Sequence, residues 1–135
     1  MLVALTLLPG CGASPITNTR LEASIAPTFA NLVHVQLERA GLATIPAAEI
    51  KVNARCTRAG GGVSGAGEWV CAIVWFGPNR QLLRDTYDVS VGIDGCYTAS
   101  VDAAETELGG PVIKTPDGRS VRNLLYRFDG CFDTT

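Results

Sequence analysis

The sequence predicts an α+β domain in which one N-terminal helix packs on a curled antiparallel sheet of four or five strands held by two disulfides. Two observations carry this reading. Apolar residues recur at three- and four-residue intervals from Leu21 to Ala40 and then at every second residue from Ile50 onward, so a helical period gives way to a strand period. Cys56, Cys71, Cys96 and Cys131 lie in or beside the period-two segments, and they form an even set once Cys11, which closes an apolar N-terminal run, is set apart.

Composition narrows the class of protein. A chain of 135 residues with 47% apolar and 18% charged residues is long enough for one domain with a real core and is far from the composition of disorder. With a net charge of -2 and interspersed signs, it has no basic stripe to follow a phosphate backbone, so nucleic acid is excluded as an expected partner. The domain is expected to span residues 20–135, preceded by a tether over 11–19 that carries Gly, Ser, Pro, Thr and Asn without apolar periodicity.

In chain order, the helix comes first. Leu21, Ile25, Phe29, Leu32, Val33, Leu37 and Ala40 form one face, and Gly41 supplies the stop. Thr19 and Glu22 have capping-box spacing, and Ser24 is the alternative N-cap if Pro27 sits in the first turn instead of kinking the helix. The first strand follows, with Ile50, Val52, Ala54 and Cys56 alternating with Lys51, Asn53 and Arg55. A glycine-rich hairpin loop over 60–67 leads to Trp69, Cys71, Ile73 and Trp75, which alternate with Val70, Ala72, Val74 and Phe76. That strand is apolar on both faces and belongs in the middle of the sheet.

Tyr87, Val89, Val91 and Ile93 make a third strand. Asp94-Gly95 then predicts a two-residue type I′ turn that returns through Cys96 to Val101 and sets Tyr97 opposite Gly92, the ring covering a position with no side chain. Beyond Val101 the pattern is weaker. Asp102 to Leu108 reads as a helical turn and Pro116-Asp117-Gly118 as a turn, while Leu124, Tyr126 and Phe128 read as a last strand ending at Cys131.

Four cysteines allow three pairings. The preferred one joins Cys56 to Cys71 across the first hairpin and Cys96 to Cys131 across the C-terminal segment, with structural bridges and no metal or other cofactor expected. Candidate chemistry is sparse. His34 and Glu38 are four apart on the helix and read first as a surface hydrogen bond. The glycines of 60–67 lack the Lys-Ser/Thr and the following helix of a phosphate loop. Asp85, Asp88, Asp94, Asp102, Asp129 and Asp133 lack calcium-loop spacing. The remaining candidate is an apolar patch of Val70, Val74, Phe76, Tyr97 and Val101 on the face opposite the helix. Either Leu124, Tyr126 and Phe128 cover it, or it meets a protein, peptide or lipid ligand.

The string Leu5-Thr6-Leu7-Leu8-Pro9-Gly10-Cys11 is far too short to span a membrane. It resembles the end of a bacterial lipoprotein signal peptide, departing from it in Pro9 and in the lack of a basic residue before Cys11, which implies a start further upstream. The resemblance implies that residues 1–10 are removed and that Cys11 carries a diacylglyceryl group at the outer face of the cell membrane, where two acyl chains give stable attachment. With the two bridges and the helix-on-sheet layout, the chain resembles the small envelope lipoproteins of actinobacteria. That resemblance implies an extracytoplasmic, non-enzymatic binding or scaffolding protein. The rival readings are a secreted inhibitor or immunity-type protein and, third, a small hydrolase.

Overall fold

The structure, a computed structural model, describes residues 15–134. Residues 1–10 and Cys11, on which the leader and anchor expectations fall, lie outside the described residues. Helix α1 (Asn18–Arg39) is followed by the one-turn α2 (Ala47–Ile50). Five antiparallel strands, β1 (Asn53–Arg58), β2 (Gly67–Phe76), β3 (Leu82–Val91), β4 (Cys96–Val101) and the late β7 (Arg127–Cys131), make one sheet in the order β1-β2-β3-β4-β7. Between β4 and β7 a small separate hairpin joins β5 (Val112–Lys114) to β6 (Ser120–Arg122).

The helix begins two residues before the predicted capping box. Thr17 is the N-cap, and its hydroxyl accepts the Arg20 N–H at 3.2 Å. Glu22 has a different task, accepting the outward N–H of Cys56 on edge strand β1 at 3.2 Å. The tether also ends earlier than expected. Ile16 is buried, and residues 16–18 clasp the β1–β2 loop through Asn18 N–H to the Val63 carbonyl and Gly65 N–H to the Ile16 carbonyl. That loop, expected as a glycine-rich hairpin loop, is also partly built into the domain. The helix runs through Pro27, which faces solvent. It closes in a Schellman motif, with Leu42 N–H bonded to the Leu37 carbonyl, Gly41 N–H to the Glu38 carbonyl, and Gly41 at φ 70°.

Along α1, Leu21, Ile25, Phe29, Val33 and Leu37 are all fully buried against the sheet. Facing them are Cys56 of β1, Trp69, Cys71, Ile73 and Trp75 of β2, Tyr87, Val89 and Val91 of β3, and Phe128 of β7. Phe29 is the centre of this layer, with its ring edge-on to Trp75, Tyr87 and Phe128 at 5.7, 5.9 and 6.1 Å.

Ile50 ends α2 rather than starting β1. Lys51 takes a left-handed conformation (φ 49°, ψ 56°) that breaks the alternation, although Ile50 stays buried as expected. Near the C-terminus the observed burial falls on Leu125 and Phe128, three apart, because residues 124–126 form a turn ahead of β7. Asn123 fixes that turn. Its Nδ2 donates to Thr106 Oγ1 and to the carbonyls of Gly109 and Gly110, and its Oδ1 accepts from Leu125 N–H. The segment read as a helical turn over 102–108 is instead a bend held by Thr106 and Gly109.

Asp85 is a further buried polar residue, accepting from Trp75 Nε1 at 3.3 Å and from Glu107 N–H at 3.0 Å. Burial raises its pKa above the usual carboxylate value, against the two hydrogen bonds that lower it. A carboxylate whose folded pKa is raised binds its proton more tightly when folded, so its contribution to stability declines as pH rises from about 4 through the folded pKa. In Asp85→Asn one of the two donors, Trp75 Nε1 or Glu107 N–H, is left facing an amide nitrogen and the variant is less stable, but the titration is gone. The wild type's advantage over Asp85→Asn therefore narrows as pH rises above about 4 in parallel thermal melts. A difference that stays constant with pH would contradict the assignment.

Candidate functional site

Both predicted disulfides are present and lie on opposite faces of the sheet. Cys56–Cys71 is on the helix-covered face and buried, joining register partners of β1 and β2 whose Cα atoms are 4.1 Å apart. Cys96–Cys131 joins β4 to β7 on the other face, Cα atoms 3.9 Å apart, with Cys131 exposed. Two such bridges are the mark of an oxidising, extracytoplasmic compartment. Among the described residues, no helix is long and apolar enough to cross a membrane.

The predicted patch divides between the two faces. Val70, Val74 and Phe76 do lie on the face away from α1, with Val70 and Phe76 exposed. Tyr97 and Val101 do not. Tyr97 is buried beneath α1, its hydroxyl sharing a hydrogen bond with Ser24 Oγ at 3.2 Å, and Val101 packs against the same core. The cause is a single residue of register. The β3–β4 hairpin closes with three loop residues, Ile93-Asp94-Gly95, instead of two. Gly92 N–H bonds to the Cys96 carbonyl, Gly95 adopts φ 82°, and Asp94 Oδ1 caps Cys96 N–H. Tyr97 is thereby set opposite Val91 in place of Gly92, and every β4 side chain changes face. Its ring does cover a glycine, but that glycine is its β7 partner Gly130, where a Cβ would collide with the Tyr97 ring.

The C-terminal segment does not cover the outer face, since Phe128 and Leu125 belong to the core under the helix. What remains outside is a lane one strand wide. Val70, Ala72, Val74 and Phe76 run along β2 and continue into Leu82, the partner of Phe76 on β3. Asn53, Arg55 and Thr57 flank it on β1, and Arg84, Thr86 and Asp88 flank it on β3.

At its Phe76 end the lane opens into a cleft of about 460 Å³ lined by Ile45, Glu49, Lys51, Phe76, Gly77, Asn79 and Arg80. The sequence reading missed this site, because it joins the α2 terminus to the β2–β3 turn and no local pattern announces that meeting. His34 helps to place one wall, with its Nδ1 2.8 Å from the carbonyl oxygen of Ile45. His34 itself does not line the cleft, and its ring is bonded to that carbonyl, not to Glu38 as the i, i+4 spacing suggested. Among the described residues no cluster of metal-ligating side chains forms, and the six aspartates considered for calcium are spread over strands, turns and the C-terminal end.

The backbone of the cleft is unusual. Among the described residues only three other than glycine have positive φ, namely Lys51 (49°), Asn79 (61°) and Arg80 (56°), and all three line this cleft. Lys51 occupies the left-handed position after a helix, where glycine is the usual residue. Asn79-Arg80 occupies the centre of a type I′-like turn closed by Gln81 N–H to the Pro78 carbonyl, with Gly77 N–H bonded to the Gln81 carbonyl outside it, and Asn-Gly is the favoured pair at such a centre. A left-handed residue with a Cβ costs about 1–2 kcal/mol, more than the ~0.4–1 kcal/mol that glycine adds to the freedom of the unfolded chain. Arg80→Gly is therefore expected to stabilise the domain by several tenths to about 1 kcal/mol in urea denaturation, and a loss of stability would show that the arginine side chain supports the turn.

Comparison with known family models, with curated proteins and with solved structures returns no match, so the reading of the site rests on its geometry.

Proposed function

We propose that the chain is a lipid-anchored, extracytoplasmic binding module of the cell envelope, held at the outer face of the membrane by a diacylglyceryl group on Cys11 and acting by recognition instead of turnover. The observation that carries this reading is the pair of cross-strand disulfides, one on each face of a single sheet. They suit a domain that matures among oxidants and has to keep its shape there. The Gly10-Cys11 junction supplies the anchor, and a short link between Cys11 and the first packed residue, Ile16, would keep the domain close to the lipid surface. An uncovered sheet face and a cleft at its end supply surface for a ligand.

A second reading, an inhibitor or immunity-type protein that presents its sheet to an enzyme, is favoured by the lane of Val70, Val74 and Phe76 alone. A tight protein partner recovered with the wild type and lost on Val74→Glu would mark that alternative. For the anchor, Cys11→Ser in the native host is expected to move the protein from the membrane fraction to the soluble extracytoplasmic fraction. Unchanged partition would remove the lipid from the account.

A further inference from the structure

We propose that the cleft between the end of α2 and the β2–β3 turn binds a small molecule that carries an oxyanion, carboxylate or phosphate, on a compact apolar body. Lys51 and Arg80 would take the anion, and Phe76 and Ile45 would take the body. The proposal rests on the binding-module reading and names the ligand class for it.

The argument begins with where the cations sit. The chain as a whole is acidic, with a net charge of -2, yet the cleft carries Lys51 and Arg80 against one carboxylate, Glu49. Both cations occupy left-handed backbone positions that a glycine would fill with less strain. Strain of this kind persists where a side chain is needed at that point in space, and here two independent cases converge on one cavity from separate elements, a helix terminus and a hairpin turn. A guanidinium offers a planar fork for an oxyanion, and a lysine ammonium lining the same cleft adds a compact charge. The lining also has an apolar part. Phe76 is 36% exposed at the end of β2, Ile45 is half-buried, and His34 anchors the carbonyl of Ile45. A volume of about 460 Å³ falls in the range of small-molecule sites.

The test uses the folded, doubly disulfide-bonded domain and backbone amide NMR titration with three probes of one shape: 3-phenylpropionate, 3-phenylpropanol and 3-phenylpropylamine. Phenyl phosphate and inorganic phosphate serve as further arms that separate the carboxylate from the phosphate source and the anion from its body. The expected result is saturable shifts confined to residues 45–51 and 76–81 with phenylpropionate or phenyl phosphate, at a Kd of about 1 mM, and at least tenfold weaker effects from the alcohol, the amine and bare phosphate. Arg80→Gly and Lys51→Gly each weaken the anionic probe about three- to tenfold while keeping or raising the thermal midpoint, and Glu49→Gln tightens it. That pairing of lost affinity with retained stability is what a purely structural role cannot produce. If all three phenyl probes bind the cleft equally, the cleft is a ligand site without anion selection, and the inference fails while the binding reading stands. If no probe gives saturable shifts there, both the inference and the cleft's place in the binding reading fail.

Discussion

Phe29→Ala lowers the unfolding free energy of the domain by about 3–5 kcal/mol, the range for removing a large aromatic side chain from a core that cannot close over the hole. Several facts place it at that end of the scale. Phe29 is fully buried, and its ring meets Trp75 on β2, Tyr87 on β3 and Phe128 on β7, so one side chain of α1 ties together three strands of the sheet. Its neighbours are themselves held. The Tyr87 hydroxyl donates to the Leu125 carbonyl at 2.5 Å and Trp75 Nε1 donates to Asp85, so these rings have little freedom to move into the vacated space. Against a total stability of about 5–15 kcal/mol for a domain of this kind, the loss is a large fraction. Urea denaturation checks it. The midpoint falls steeply at an unchanged slope, and a cost below about 1.5 kcal/mol would mean that α1 is not seated as described.

The two disulfides should respond differently to reductant. Cys56 and Cys71 are 4% and 0% exposed beneath α1, whereas Cys131 is exposed on the open face. A thiolate has to reach a sulfur in order to attack it, so mild reduction of the native protein opens Cys96–Cys131 first, and Cys56–Cys71 opens only on unfolding. The consequence for stability follows from the loops. Cys96–Cys131 closes 35 residues and Cys56–Cys71 closes 15, which in the chain-entropy account gives about 4 and about 3 kcal/mol respectively. In Cys96→Ser/Cys131→Ser, strand β7 is expected to remain docked through Phe128 but to exchange its amide hydrogens far faster, with a thermal midpoint at least 10 °C lower. Timed alkylation followed by peptide mapping reads the order of opening directly, and simultaneous reduction of both bridges would contradict it.

How much of this was legible in the sequence depends on how local each signal is. The α1 face, the two-sided apolar pattern of β2 and the Cys56–Cys71 pair across one hairpin are local signals, and each appears in the fold as read; with Cys56 and Cys71 paired, Cys96 and Cys131 are left for each other although they lie 35 residues apart. The face of β4 was not legible. Asp94-Gly95 suits both a two-residue turn and the last two positions of a three-residue loop, and the choice moves Tyr97 from the outer face to the core. The start of β1 was misplaced because Lys51 interrupts an alternation that continues cleanly on paper from Ile50 to Cys56. The cleft was illegible for a related reason. Pro78-Asn79-Arg80-Gln81 looks like an ordinary polar turn, and only the fold brings it beside Lys51. One clue was available: Asn-Arg stands where a tight hairpin prefers Asn-Gly.

The proposed lipid anchor and the two bridges together would leave a definite mass signature. Intact-mass analysis of the protein purified from envelope membranes of its own host, followed by non-reducing peptide mapping, is expected to show a diacylglyceryl-modified Cys11 as the N-terminal residue together with Cys56–Cys71 and Cys96–Cys131 linked peptides. A native protein that retains residues 1–10 and carries five reduced thiols would contradict the account at its base.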